Sequence, residues 1–150
     1  MTISVAGLGA PNLKLDGLQI WIRRQFPDSH DYWDGNWLRV TAHCGGPGAS
    51  VLATGSFIHI AELDRWRGET EELSNTLNGG AELACMEPNL SVALKSRSLG
   101  HITMEVSITQ DHVTQRHWFR FDIDQSYLPP FVDQCRSISK EYPIRGSRDG

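Results

Sequence analysis

The sequence has no hydrophobic run that approaches the roughly 20 residues a membrane-spanning helix requires. Its first ten residues are small and mildly apolar, and they lack the basic start and the apolar centre of a secretory signal. We therefore expect a cytoplasmic protein with no membrane partner.

Basic residues are also in the minority, because 14 Lys and Arg stand against 18 Asp and Glu, for a formal net charge of -4. Proteins that follow a phosphate backbone usually carry a basic face. The charge balance therefore predicts no nucleic-acid partner, and it suits a basic protein partner instead.

Cysteine is rare, and its three copies cannot all pair within one chain. Cys44, Cys85 and Cys135 each fall on the apolar phase of their segment, where a free thiol behaves as a small hydrophobic side chain. The Cys-x-x-Cys, His-x-x-x-His and His-Glu-x-x-His spacings of common metal sites are missing. We therefore predict buried, reduced thiols, no metal and no other cofactor.

Catalytic motifs are missing as well. The chain has no Gly-x-Ser-x-Gly turn, no phosphate-binding loop and no dinucleotide fingerprint. Asp122 and Asp124 share one strand phase close to the start of a helix, where carboxylates more often cap the helix or face solvent. We assign no general acid and expect a protein that is not an enzyme.

What the sequence does contain is a series of short alternating segments separated by Gly, Pro, Asn and Asp, and this pattern predicts about seven strands. The first strand starts at Leu18 and ends at Phe26-Pro27, and the loop Asp28 to Gly35 follows it. The others are Trp37 to Cys44, Ser50 to Ile58 (a hairpin with the preceding strand across Gly45 to Gly48), Ala81 to Glu87, Leu90 to Ser96, His101 to Thr109 and Arg116 to Ile123.

Two segments change to helical spacing. The first runs from Ile60 to Leu77, with apolar residues on one face, and the residues Asn78-Gly79-Gly80 are suited to end it. His59 stands where a capping Ser or Thr is usual. The second helix follows a cap at Asp124 or Ser126 and stops at Pro143. It carries Pro129 and Pro130 in its first turn and an apolar face of Leu128, Phe131, Cys135, Ile138 and Tyr142.

These elements predict an α+β fold: a mainly antiparallel β-sheet, or a two-sheet sandwich, covered by two amphipathic helices. At 150 residues the chain is long enough for one domain with its own core. We expect a single domain over residues 1–150, with a structured core at about 15–145 and a flexible tail at 146–150.

Four segments carry a resemblance to a known family. They are Asp31-Tyr32-Trp33-Asp34-Gly35-Asn36-Trp37-Leu38-Arg39-Val40, Met86-Glu87-Pro88-Asn89-Leu90, the stretch from Phe121 to Leu128, and Glu141-Tyr142-Pro143-Ile144-Arg145. Together they resemble the WapI-type immunity proteins of bacterial polymorphic toxin systems. The resemblance implies an intracellular protein that binds the C-terminal toxin domain of a cognate toxin and holds it inactive. It brings no catalytic residues with it.

Two groups of residues are candidate contacts for such a partner. In the aromatic run, we expect Trp37 to fold over the core and Asn36 to bond the turn backbone, which leaves Tyr32 and Trp33 as candidates. On the first helix, Glu62, Glu69, Glu71 and Glu72 are the acidic candidates, in a segment where Asp64 adds a fifth acid against Arg65 and Arg67. An ordinary solvated helix face is the alternative interpretation.

Two other classes of function remain open at this point. A small-ligand-binding or enzymatic β-sandwich domain would need a deep pocket with several converging polar groups. A structural adaptor would instead show an exposed apolar patch of several hundred Å². The sequence leaves the oligomeric state and the toxin open as well.

Overall fold

Eight strands form two four-stranded antiparallel sheets in a computed structural model, which describes residues 5–26 and 30–148. Within each sheet the strands are neighbours in chain order, so each sheet is a meander. The first sheet contains β1 (Leu13–Leu15), β2 (Leu18–Phe26), β3 (Trp37–Gly46) and β4 (Ala49–His59). The second contains β5 (Gly80–Ala84), β6 (Leu90–Ser96), β7 (His101–Ile108) and β8 (His117–Asp124).

Two α-helices complete the fold, together with 3-10 turns at Val5–Leu8, Ser98–Gly100 and Gln125–Tyr127. Helix α1 (Ile60–Thr76) follows β4 directly, connects the two sheets, and packs against β5. Helix α2 (Leu128–Glu141) packs against α1 and β1. The two helices meet at Trp66 and Phe131, whose ring centroids lie 4.7 Å apart in an edge-on arrangement. Neither helix is long and apolar enough to cross a membrane, within the described residues.

A single hydrophobic core takes side chains from both sheets and both helices. Val40, Leu83, Val92, Met104 and Trp66 are all completely buried in it. On β6 the inward residues alternate with exposed or half-buried ones, and on β7 they do so except at Thr103, which is buried on the outward phase. This is the period of 2 that the sequence shows. The expected α+β fold of two antiparallel sheets with two helices is confirmed.

Two strands differ from the sequence prediction by more than two residues, and the other strand ends that the structure describes lie within two residues of the predicted ones. β1 was not predicted, because three residues are too few to display an alternation; Leu13 pairs with Ile20, and Leu15 with Leu18. β5 ends at Ala84, three residues earlier than predicted, because Met86 N donates a 2.7 Å hydrogen bond to a carboxylate of α1 rather than continuing the ladder. The predicted Pro27 strand end and the loop residues Asp28 and Ser29 lie outside the described residues.

Helix α1 starts where the sequence predicts it, and His59 caps its N-terminus although histidine is unusual there. His59 has extended backbone angles, and its Nδ1 accepts a 3.1 Å hydrogen bond from Ala61 N. In return, Glu62 Oε1 accepts a 2.8 Å bond from His59 N, so the pair forms a capping box with histidine in place of Ser or Thr. The helix ends one residue before the predicted Leu77, which takes a left-handed conformation with φ 52°.

Asp124 caps the 3-10 turn before α2, because its Oδ1 accepts from Ser126 N at 2.8 Å. The prediction that Asp124 or Ser126 caps the helix itself was wrong, since α2 has Tyr127 at its N-cap and no side-chain cap. Hydrogen bonds from the Ser126 hydroxyl and backbone N–H lower the pKa of the Asp124 carboxyl. Pro129 and Pro130 lie in the first turn of the helix, where a missing N–H breaks no helical hydrogen bond.

Trp21 is buried on the side of the first sheet that faces away from the main core. The alternation of β2 places this side chain outward, opposite to Ile20 and Ile22. Its indole Nε1 donates to Gly9 O at 3.1 Å, and only 3% of the residue is exposed. The segment that precedes β1 therefore covers part of the outer face of this sheet.

Candidate partner-binding surface

Four aromatic side chains gather where the loop before β3 meets the start of α1. His59 is at the centre, with ring centroids 5.5 Å from Tyr32, 5.9 Å from Trp33 and 5.2 Å from Trp37. Tyr32 and Trp33 also contact each other edge-on at 4.9 Å. The cap of the helix and the aromatic loop therefore form one unit, which we call the His59 cluster.

The buried side chain of Asn36 holds the loop before β3 in place. It is fully buried, and its side chain makes four hydrogen bonds. Nδ2 donates to Tyr32 O at 2.6 Å and to Arg145 O at 2.9 Å, while Oδ1 accepts from Arg145 N at 2.8 Å and from Gln25 Nε2 at 2.9 Å. The predicted role of Asn36 in bonding the turn backbone is confirmed, and it extends to the segment after α2.

His59 adds a second fastening to the same loop. Because its Nδ1 accepts from Ala61 N, the proton of a neutral imidazole is assigned to Nε2. Nε2 then donates to Tyr32 O at 3.2 Å, so this carbonyl receives hydrogen bonds from both His59 and Asn36. The backbone of the loop is held at Tyr32 by two buried side chains.

Trp33 is the most exposed side chain of the His59 cluster, with 48% of its surface accessible. Its backbone N–H donates to Asp31 Oδ2 at 3.1 Å, and that of Asp34 donates to the same oxygen at 3.0 Å, which forms a tight turn. The Arg148 guanidinium lies 5.8 Å from the Trp33 ring centroid. Tyr32, the other candidate from the sequence, is half-buried beneath Trp33.

The expectation that Trp37 folds over the core was wrong. Leu38 is completely buried in the core, and Trp37, as its neighbour on β3, points to the other side of the sheet. Trp37 is half-buried there and packs edge-on against His59. Its role is to cover the helix cap.

The acidic candidates on α1 do not share one face. At 100° per residue, Glu62 and Glu69 lie on the flank towards β5, whereas Asp64 and Glu71 lie on the flank towards α2. Glu72 lies between the flanks, on the outward ridge of the helix, and is exposed. Among the acidic candidates, Glu62 bonds a residue of the His59 cluster, because it accepts from His59 N.

The two acids on the β5 flank bind the helix to β5 and to the segment that follows it. Glu62 Oε2 accepts from Met86 N at 2.7 Å, in addition to its bond with His59 N. Glu69 Oε1 accepts from Glu82 N at 2.9 Å, and its Oε2 pairs with Arg65 Nε at 3.0 Å. Both carboxylates therefore already satisfy backbone donors within the chain.

The acids on the other flank join the two helices. Glu71 pairs with Arg67 Nη1 at 2.8 Å and with the guanidinium of Arg136 on α2. Asp64 pairs with Arg67 Nε at 3.1 Å. Within the described residues, the Glu72 carboxylate has no hydrogen-bond or ion-pair partner.

A second exposed aromatic surface was not singled out from the sequence. Trp118 is 58% exposed on the outer face of the second sheet. Beside it is a depression of about 480 Å³, whose lining includes Pro88, His112, Arg116 and His117. The signal was present in the alternation of β8, which places Trp118 opposite in phase to Phe119 and Phe121.

The three thiols are free. Cys44 and Cys135 are buried, and burial raises the pKa of each to about 12. Cys85 is only half-buried, contrary to the prediction, because it follows the last residue of β5; burial against the core still raises its pKa. No group of three His, Cys, Asp or Glu side chains with the geometry of a metal site occurs in residues 5–26 and 30–148.

Comparison with known proteins gives one match. The model of the WapI-like immunity protein family matches residues 12–143, which include both sheets, both helices and the His59 cluster. Neither the curated proteins nor the solved structures gave a match. The family match covers far more than half of the chain and agrees with the family suggested by the sequence motifs. The chain belongs to the WapI-like immunity protein family.

Proposed function

We propose that this protein protects a cell by binding the toxin domain of a cognate polymorphic toxin and covering a surface that the toxin needs. An immunity role follows from the family. Neutralisation by stoichiometric binding in the cytoplasm, without turnover, is the proposal. The observation that carries it is Trp33, a large side chain left 48% exposed on a loop that buried residues hold in place.

An exposed tryptophan on a fixed loop has the properties of a binding hot spot. Tryptophan is enriched among residues that dominate interface energies, because it buries a large area with few rotatable bonds. Asn36 and His59 already order the backbone of the loop at Tyr32. Binding through this loop would therefore lose little conformational entropy, which favours affinity.

The acidic candidates divide into two roles within this proposal. Glu62, Glu69 and Glu71 are engaged inside the chain, so they would contribute to a partner mainly through the negative potential around α1. Glu72 lies on the outward ridge and is available for direct contact. A basic toxin surface would then meet Trp33 and Tyr32 near the start of α1, and Glu72 towards its end.

The first experiment compares Trp33→Ala with Trp118→Ala, a matched loss of a similarly exposed tryptophan from another face. Binding to the purified cognate toxin domain is measured by calorimetry, and protection is measured by co-expression. We expect Trp33→Ala to weaken binding by about 30-fold or more, the size of a hot-spot effect, and Trp118→Ala to leave binding unchanged.

The proposal fails if co-expression rescues growth and no complex with the toxin domain is detectable, because protection would then come from turnover. Loss of binding in Trp118→Ala but not in Trp33→Ala would move the contact to the second sheet. Thermal melts of both variants exclude unfolding as the cause of any loss.

The second experiment tests the charge contribution with Glu72→Lys. The matched control is Asp133→Lys, which changes the net charge equally on an exposed position of α2. We expect Glu72→Lys to slow association with the toxin at low ionic strength and to reduce its salt dependence, because steering is lost. Equal association rates for the two variants would exclude a contact at Glu72.

A further inference from the structure

Two open sheets have four outer edges, and side chains engage three of them. On the β1 edge, Gln134 Oε1 accepts from Lys14 N at 2.9 Å. On the β4 edge, the Gln110 amide accepts from Thr54 N at 2.8 Å and donates to Thr54 O at 3.1 Å. On the β5 edge, Glu69 accepts from Glu82 N. Covering edge groups in this way prevents a strand from pairing with another chain. The fourth edge belongs to β8.

The hydrogen bonds between β6 and β7 fix the direction of the backbone groups in β7. Arg97 N donates to His101 O, and Thr109 N donates to Asn89 O. The odd-numbered residues of β7 therefore point their N–H and C=O groups towards β6, and the even-numbered residues point theirs towards β8.

The same alternation continues into β8. Ile102 lies opposite Ile123, and Met104 lies opposite Phe121, so the odd-numbered residues of β8 exchange hydrogen bonds with β7. The even-numbered residues direct their N–H and C=O groups to the outer edge; they are Trp118, Arg120, Asp122 and Asp124. Among the residues that the structure describes, none is hydrogen-bonded to the edge groups of Trp118, Arg120 and Asp122. Asp124, at the end of the strand, is the N-cap of the 3-10 turn Gln125–Tyr127 and directs its C=O into that turn.

The first sheet approaches β8 from its inner face and not along this edge. The Phe121 ring lies against Gly17, where an added Cβ would come within 2.6 Å of it. The Phe119 ring is next to Gly46, at 3.9 Å from such an atom. These contacts use inward side chains, so the backbone edge stays open for a strand in the plane of the second sheet.

We propose that this edge pairs with the β8 edge of a second copy of the chain, in an antiparallel, two-fold symmetric arrangement. The pairing places Arg120 of each copy opposite Asp122 of the other, and Trp118 opposite Asp124. Each of the two Arg120–Asp122 pairs then exchanges two hydrogen bonds between the copies, and Trp118 offers its N–H and C=O groups towards Asp124 at the ends of the paired strands. The two second sheets become one continuous sheet of eight strands.

The charges on the strand select this register. Opposite charges directly across an antiparallel pair stabilise it, and like charges oppose it. A shift of one copy by two residues would place Arg120 opposite Arg120, or Asp122 opposite Asp122. Edge strands that avoid pairing usually present charges that repel a second copy. On β8, Arg120 and Asp122 follow each other on the outer face, so two antiparallel copies place opposite charges across from each other.

Within its own chain, Arg120 makes only a long ion pair, with Nε 3.9 Å from Asp122 Oδ1.

The test is analytical ultracentrifugation of the full chain from about 1 µM to about 1 mM. We expect a concentration-dependent dimer. Arg120→Asp or Asp122→Arg alone places like charges opposite each other in two pairs, one for each copy. Either change should therefore raise the dimer dissociation constant roughly tenfold or more. The double variant Arg120→Asp with Asp122→Arg restores the opposite charges and should recover the wild-type constant. Lys95→Glu, on β6 of the same face, is the matched control and should have no effect.

A chain that stays monomeric over this range overturns the proposal, as does a dimer that both single reversals leave intact. Hydrogen exchange gives an independent measurement at the backbone. The amides of Trp118, Arg120 and Asp122 should become more protected as the chain concentration rises. Protection that appears only after a toxin domain is added would assign the edge to the toxin and not to a second copy. The inference does not depend on the proposed function, because the assay contains this chain alone.

Discussion

Replacing Asn36 by alanine tests whether one buried amide holds the aromatic loop, the start of β3 and the segment after α2 together. The substitution removes four hydrogen bonds. Tyr32 O keeps its bond from His59 Nε2, and Gln25 is partly exposed and can turn to water. The N–H and C=O groups of Arg145 lose their side-chain partner in a half-buried position.

The expected loss of stability follows from these two backbone groups. A buried polar group left without a partner costs about 1–3 kcal/mol. Because the position of Arg145 is only half-buried, we expect about 3 kcal/mol for the two groups together with the lost amide packing. In a domain of this size, that corresponds to a fall in melting temperature of roughly 6–12 °C.

Chemical denaturation and thermal melts measure this loss, with Asn89→Ala as the control. The Asn89 amide is half-buried and bonds only Thr109 O and Gln110 O, so its removal should cost about 1 kcal/mol. An Asn36→Ala variant within about 0.5 kcal/mol of the wild type, the range of ordinary surface changes, would refute the assigned role.

Asn36→Asp separates hydrogen bonding from packing, because the side chain keeps its shape. In aspartate, an oxygen replaces the Nδ2 group that donates to Tyr32 O and Arg145 O, so acceptors would face each other. We therefore expect the free energy of unfolding to fall at neutral pH by at least as much as in the alanine variant. Folding makes ionisation of this carboxyl harder, so the folded state binds its proton more tightly than the unfolded state. The loss should therefore shrink as the pH falls. A pH-independent loss would contradict this explanation.

Two further predictions concern other buried or half-buried groups. The Thr70 hydroxyl is buried and has no hydrogen-bond partner among the described residues, so Thr70→Val should stabilise the fold by about 1 kcal/mol in denaturant titrations. Destabilisation would show that the hydroxyl is bonded. Burial lowers the pKa of His43, so protons bind the unfolded chain more readily and stability should decline as the pH falls below about 6.5. In thermal melts over the same pH range, the stability of His43→Gln should decline less than that of the wild type. An equal decline in both proteins would show that His43 does not cause the pH dependence.

The alternation of the strands was readable from the sequence because both sheets present one face to a common core. On β7, the inward positions Ile102, Met104, Val106 and Ile108 are all buried. β1 and the burial of Trp21 were not readable. A three-residue strand has no measurable period, and the cover over Trp21 comes from a separate segment that local patterns do not connect to β2.

The candidate site was predictable in part. Tyr32 and Trp33 do lie together, because they are neighbours on one tight turn. The direction of Trp37 follows from its alternation with the buried Leu38, which places the two side chains on opposite sides of β3. His59 could not be identified as a cap from residue preference, since the preference at that position is for Ser, Thr, Asp or Asn.

The acidic helix shows why charge counts predict binding surfaces poorly. The helical period separates Glu62 and Glu69 from Glu71. It does not reveal that Glu69 binds a backbone N–H of β5, that Glu62 binds one just after β5, or that Glu71 binds Arg136. A charge reversal at any of the three would disturb the packing of α1 before it altered a partner contact. A reduced affinity in such variants would therefore leave the binding face undetermined. Glu72 does not have this difficulty, because its side chain joins α1 to no other element among the described residues, and its variants report on the partner directly. Trp33 packs against His59 at the helix cap, so its variant reports on the partner once a thermal melt shows that the fold is intact.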